Sequence, residues 1–423
     1  MRVREAVLLS AAIAGAGACG GGGGAAAPVT YYKDVLPIVV EHCAGCHSPG
    51  GFAPFSLVNY DDARGYASAV SIATGAGIMP PWPPAAGCGD FRNPRRLSTA
   101  QIATFAAWDK SGAPAGDPAD APASLTPPEI NLGAPDVTLD PGTPYQADAA
   151  LNDDFHCFLT DPGLTATRDL VGFDIHPGVV ASVHHVLLFA VPSDLLPMAQ
   201  ARDDAEAGTG WSCFGGTGVG SGLNYPIVIG GWVPGAGANA FPPPTGISLA
   251  ANTRVIIQIH YNLLEQRDVL DHTTADLYFA AAPVEKPAQV RPVVNKTFMI
   301  PAGVASQTVS AQLSVSESWA LWGVVPHMHL HGTEIKVSIE HPGGGSTCAI
   351  DIPQWNFHWQ QFYYYQQPIL VGPGDIVRLE CTYDNSADNQ PIINGVRAQP
   401  APLMWGEATT DEMCLNYLYF TSI

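Results

Sequence analysis

Basic residues are scarce in this chain. It carries 18 lysines and arginines against 38 aspartates and glutamates, a formal net charge of −20 with histidine neutral. No basic stripe offsets that balance, so nucleic acid and anionic membrane surfaces are poor partners. Long apolar runs are lacking as well: Val7 to Ala18, near the start, is too short to span a bilayer. Beyond about residue 130 no helical period is sustained except over a possible Leu195–Ala207, which argues against a mostly helical protein. No internal repeat is visible. What is plentiful points towards sheet. The 44 glycines and 38 prolines suit many turns and short strands, and 47% hydrophobic residues suffice for ordinary cores. A chain of 423 residues is expected to form two or three domains.

Arg2 and Arg4 ahead of Val7–Ala18 read as an export signal. Ala16-Gly17-Ala18-Cys19 has the form of a lipoprotein cleavage box with Cys19 as the lipidated residue; simple secretion, with cleavage near Gly20–Gly24, is the alternative. Residues 1–27 are thus read as signal and glycine-rich tether. The expectation is an exported protein, periplasmic or lipid-anchored on the outer side of a bacterial membrane, meeting lipid only through Cys19.

Next comes Cys43-Ala-Gly-Cys46-His47, the attachment pattern of a covalent c-type haem. Two thiols at this spacing can bind the vinyl groups, and the adjacent His47 can reach the iron. A redox dithiol or half a zinc site are the alternatives, but no second cysteine pair lies nearby. Val29–His42, Asp61–Thr74 and Ser98–Lys110 have helical patterns, the last with Ser98 as N-cap. Met79, before Pro80 and Pro81 on a rigid loop, is the expected second axial ligand. Residues 28–115 therefore read as a small α-helical cytochrome c-like domain, and 116–132 as a Pro/Ala/Asp linker.

From about 133 onwards short β-rich runs alternate with turn residues. Strands are expected at Asp169–Ile175, Val183–Ala190, Arg254–Asn262, Ala275–Ala281, Ser306–Val315, Trp319–Val325, Glu334–Glu340 and Ile376–Tyr383. The fold class is mainly β, with two sandwich domains at 133–288 and 289–423 and a boundary between Ala282 and Pro292.

Within this region lie the residues that carry chemistry. Val325-Pro326-His327-Met328-His329-Leu330-His331 puts histidines at every second position, on one face of a strand, where neighbouring imidazoles can share a metal ion. Val183-His184-His185-Val186 holds two adjacent histidines, which can ligate jointly only at a bulge or a strand end. Gln258-Ile259-His260-Tyr261 offers another imidazole, and Glu412-Met413-Cys414 a thioether. Imidazole plus thioether suits copper better than zinc.

The ordered set His-His, Gln-x-His-Tyr, His-x-His, Glu-Met-Cys-x-x-Tyr resembles the ascorbate-dependent type II copper monooxygenases, the peptidylglycine α-hydroxylating and dopamine β-monooxygenases, over residues 140–423. That resemblance implies two jelly-roll-like sandwiches, each holding one copper ion across a solvent-filled cleft. One copper would take His184, His185 and His260, the other His327, His329 and Met413, with His331 outside the set. It further implies disulfides Cys157–Cys213 and Cys381–Cys414, Tyr417 at the substrate pocket and Gln258 near the first copper. Cys88 and Cys348 are left unassigned. The haem-type segment resembles a cytochrome fusion seen with bacterial relatives.

The activity so implied is hydroxylation of a C–H bond of a small molecule with O₂. Electrons would come from ascorbate or a redox partner protein and pass through the haem. An exported electron-transfer or copper-holding protein without hydroxylase activity is the competing reading. The carboxylate-gripping Arg and the Asn of the peptidylglycine enzyme correspond here to Val325 and Leu415, so the resemblance points to a neutral or cationic substrate. Another cation swinging in from a loop, such as Arg397, is the alternative.

Overall fold

The computed structural model describes residues 28–423 apart from 50, 52, 127–129, 222, 223, 265, 358 and 394. The export signal, Cys19 and the tether therefore lie outside the described residues. No described helix is long and apolar enough to cross a membrane.

The first part is helical. A π-turn at Tyr31–Val35 runs into the helix Leu36–His42, and their inner face places Tyr31, Val35, Leu36 and Val39 against Phe105 and Trp108. Tyr60–Gly65 and Ala67–Gly75 follow; Asn59 caps the first, its side chain accepting from Asp62 N at 2.9 Å. Thr99–Lys110 opens with a reciprocal capping box, Ser98 with Gln101, that satisfies two backbone donors. It ends before Gly112, whose φ of +83° suits a residue without a Cβ.

The remainder is sheet, as expected, and all eight strands read from the sequence form. Arg254–Asn262 and Ile376–Tyr383 keep the same bounds. Among the described residues a five-stranded sheet has Arg254–Asn262 at its centre, flanked by Asp153–Thr160 and Val183–Val191. A four-stranded sheet is built from Gln307–Ser314, Ile376–Tyr383, Gly332–Glu340 and Ser346–Ile352. Both pack on one nine-stranded sheet that runs the length of the β region. The first core lies against the five-stranded sheet and takes Leu170, Phe173, Ile257, Ile259 and Leu277; the second lies against the four-stranded sheet and takes Ile335, Val337, Leu379 and Leu418.

The strand Trp319–His327 serves both cores. Ala320 and Trp322 enter the first, whereas Trp319, Leu321 and Val324 enter the second. The stretch read as an interdomain boundary runs into the strand Lys286–Asn295, which pairs with Cys414–Ser422 along eight residues and with Thr245–Leu249 at Lys286 and Pro287. The halves are joined through hydrogen-bonded sheet.

Candidate metal centre

The first histidine set is built by a register fault. His260 stands opposite His185 and Tyr261 opposite Val183, so His184 is the extra residue of a β-bulge. That bulge turns two adjacent side chains towards one point, which a regular strand forbids. His184 Nδ1 lies 3.2 Å from His185 Nδ1, and His260 Nδ1 lies 3.4 Å from the same atom. An ion bound tetrahedrally at about 2.0–2.1 Å places its donor atoms about 3.3 Å apart. The ligand atoms of all three lie within 4.8 Å of one another.

Asp153 decides the tautomer of His260. Its Oδ1 is 2.8 Å from His260 Nε2. A carboxylate held below the usual range accepts, so Nε2 carries the proton and Nδ1 keeps its lone pair. Burial pushes the Asp153 carboxyl up, but hydrogen bonds from His260 and Thr409 outweigh it. Burial, with His260 and His184 beside it, holds His185 well below the ordinary imidazole value, so it is neutral at pH 7 and can donate to a metal.

The second set departs from the sequence reading in one respect: the strand stops at His327, and His329 and His331 lie in the loop that follows. The ladder ends with His327 opposite Leu415. There Glu412 takes over from the missing sheet bonds. Its carboxylate, with 0% exposure, accepts from His329 N at 3.0 Å, His331 N at 2.6 Å and Met413 N at 3.3 Å. Its other neighbour is His331 Nδ1 at 3.3 Å, which gives that histidine a carboxylate partner. Met413, buried, is held further by Tyr383 Oη on its carbonyl at 2.7 Å and by the Cys381–Cys414 disulfide beside it.

Both histidines of this candidate pair present Nε2. His329 Nδ1 donates to the carbonyl of Asp411 at 3.1 Å. His327 Nδ1 donates to Gln360 Oε1, an orientation fixed because Gln360 Nε2 donates to Phe357 O at 2.8 Å. Burial lowers the basicity of both rings.

One aromatic side chain touches both sets. Phe357 stacks on His184 at 4.5 Å between centroids and meets His329 edge-on at 5.7 Å. A second link runs through Asp153, whose Oδ1 also accepts from Thr409 Oγ1 at 2.8 Å in the loop leading to Met413.

Tyr417 and Leu415 stand opposite Val325 and His327 in the ladder, so the four share one face. Burial pushes the Tyr417 phenol up to about 12. Arg397 lies on the carbonyls of Asp388 and Gln390 at 2.8 and 2.9 Å. Gln258 Nε2 points at Cys213 Sγ, 3.7 Å away, in the Cys157–Cys213 disulfide. Cys88, left unassigned by the sequence, is bonded to Cys348. Three disulfides suit an oxidising compartment.

Residues 290–422 match the family model described as the C-terminal domain of copper type II ascorbate-dependent monooxygenases. The second half of the β region therefore matches one domain of the copper type II ascorbate-dependent monooxygenases. The chain is similar to DBH-like monooxygenase protein 1 of Homo sapiens, at 23% identity over 265 residues, 58% of this chain and 40% of that protein. It is similar also to dopamine beta-hydroxylase of Rattus norvegicus, at 22% over 313 residues, 69% of this chain and 45% of that one. The chain spans less than half the length of these relatives. A solved structure of PNGF-II covers 67% of this chain and 64% of its own at a TM-score of 0.28 and 8% identity, too weak a likeness to bear on the fold.

Cys43, Cys46, His47 and Met79 lie apart from the copper-family match. Cys43 and Cys46 are free thiols. Burial pushes Cys43 up to about 12 and raises Cys46 too, the reverse of what an exchanging dithiol needs. His47 Nδ1 donates to Phe55 O at 3.2 Å, which leaves Nε2 as the lone-pair nitrogen. Met79 is half-buried after the helix Ala67–Gly75, its amide 3.2 Å from Ala73 O.

Glu412, Asp153 and Gln360 are residues of the candidate site to which the sequence analysis gave no role. Position beside Met413 was a signal for the first. Nothing in the spacing marked the second.

Proposed function

We propose that this protein hydroxylates a C–H bond of a neutral or cationic small molecule, R–H + O₂ + 2e⁻ + 2H⁺ giving R–OH + H₂O. The observation that carries this is the set of lone pairs: Nδ1 atoms converging at His184, His185 and His260, and Nε2 atoms left free on His327 and His329 next to Met413. The first half, 133–288, would hold one copper ion and the second, 289–423, the other. Copper bound there supplies one-electron redox chemistry and activation of O₂.

The residues of the chain do the rest. Asp153 keeps His260 in its donor tautomer, Gln360 and Asp411 do the same for His327 and His329, and Glu412 fixes the loop that carries both His329 and Met413. Val325, Leu415 and Tyr417 form the substrate wall. The Tyr417 phenol stays protonated at neutral pH and can donate a hydrogen bond. The wall has no cation, so a substrate carboxylate buried there would go unpaired, at a cost of several kcal/mol on an order-of-magnitude scale.

Electrons would enter from ascorbate or a redox partner through a c-type haem in the helical domain, 28–115. Cys43 and Cys46 would form the thioethers and His47 and Met79 the axial pair. The protonated Nδ1 of His47 and the two unpaired thiols fit that group. A haem would store and pass on single electrons.

Copper stoichiometry and ¹⁸O₂ labelling test the reading. Two coppers per chain are expected, with ¹⁸O in the product from a phenylethylamine and little turnover of a glycine-extended peptide. Two coppers with no labelled product from any tested amine or alkylarene would instead favour an electron-transfer or copper-holding role.

A further inference from the structure

The helical part is stitched to the second half of the β region. Ala85 N donates to Asp351 O at 2.7 Å, Arg92 N to Tyr364 O at 2.7 Å, and Gln366 N to Asp90 O at 2.8 Å. Trp82 and Phe91 set their rings against Tyr363 at 5.7 and 5.4 Å. Cys88 is bonded to Cys348. Residues 82–92 thus act as a covalent strap, unlike the small polar contacts of a domain that docks and leaves.

The strap holds the Cys43–His47 motif against the first half at one point. A Cβ on Gly235 would stand 2.7 Å from Cys46 Sγ, so only glycine leaves room beside that sulfur. Arg95 Nη2 donates to the carbonyl of the same Gly235 at 3.0 Å. Arg95 also lines a small gap with Pro81, Pro234, Trp359, Gln360 and Gln361. Gln360 is the residue that accepts from His327.

We propose that the haem seat is shared between the two parts of the chain. Gly235 clears space for the group attached at Cys46, Arg95 is its charged neighbour, and Gln360 connects the seat to His327. This rests on the haem reading above. It adds that residues of both parts of the chain would hold the haem, with Arg95 a positioning residue. A haem held there would supply single-electron redox chemistry, with each electron it passes on replaced by an external one-electron reductant.

The test uses the full-length protein. Wild type should keep a covalent haem absorbance after denaturation. Arg95→Leu removes a positive charge beside the iron, which stabilises the ferric state, so its midpoint potential should fall relative to wild type. Arg64→Leu, at an exposed arginine of the helical part, should leave the potential unchanged. Gly235→Ala should lower the yield of attached haem. A haem whose potential responds equally little to both arginine substitutions, with full attachment in Gly235→Ala, overturns the shared seat. Wild type without covalent haem overturns the reading beneath it.

Discussion

Replacing Glu412 by Gln perturbs one side chain that holds three backbone amides. The carboxylate accepts from His329 N on one oxygen, His331 N on the other, and Met413 N at the longer distance. Glutamine keeps only one acceptor oxygen. Its NH₂ must then face an amide N–H that it cannot accept from, in a site with no water exposure. Hydrogen bonds to charged groups contribute about 1.5–3 kcal/mol and an orphaned buried donor costs about 1–3, so a loss of about 2–4 kcal/mol is expected. Because the amides belong to the loop carrying His329 and Met413, copper affinity at that set should fall roughly 10–100-fold. The set of His184, His185 and His260, held by Asp153 instead, should keep its copper. Denaturant unfolding gives the first quantity, and chelator competition with copper counting by paramagnetic resonance the second. An unchanged unfolding midpoint with both coppers equally retained would refute the argument that this carboxylate organises the loop.

Asp153→Ala should produce the opposite pattern, with about 10–100-fold weaker copper binding at the three-histidine set and retention at the Met413 set, read from copper content after dialysis. In haem-free native protein Cys43 should resist iodoacetamide at pH 8 and react fast in urea, since burial, then Cys46, push its thiol up to about 12. The protonated thiol favours the folded state, so this contribution is complete below about pH 8.5 and is lost as pH climbs from there towards 12. Ser98→Ala should cost about 1 kcal/mol by removing half of a capping box, with faster amide exchange in Thr99–Lys110.

How much of this was legible depended on where each residue's partners lay. Arg254–Asn262 announced itself through Val255, Ile256, Ile257 and Ile259, since a strand buried on both faces needs apolar residues at consecutive positions. Lys286–Asn295 did not, because Pro287 and Pro292 read as a break. The strand tolerates them because, past Pro287, it is paired only with Cys414–Ser422, leaving one edge free of ladder bonds. Tyr363–Val371 hid for a similar reason: it ends the sheet order, where Gln366, Gln367 and Pro368 are permitted. The adjacent pair His184–His185 required a bulge or strand end on geometric grounds, and a bulge is there. By contrast, the alternation His327, His329, His331 suggested a continued strand, and a loop met it instead. Glu412 stayed invisible because its partners are main-chain amides, which no spacing of side chains reveals.

The disulfides carry a consequence for how the chain matures. Along the sequence the described cysteines run 43, 46, 88, 157, 213, 348, 381, 414, yet Cys88 waits 260 residues for Cys348 while Cys157–Cys213 closes inside that interval. An oxidant acting on the chain as it emerges, joining each new cysteine to the last, would first seal Cys43 to Cys46 and then Cys88 to Cys157. Both products block the native arrangement, and the first also removes the two thiols a haem would need. Spontaneous reshuffling of such bridges takes minutes to hours. Production in a host without a thiol-disulfide isomerase is therefore expected to yield scrambled chains, and reductant during early export to raise the native fraction.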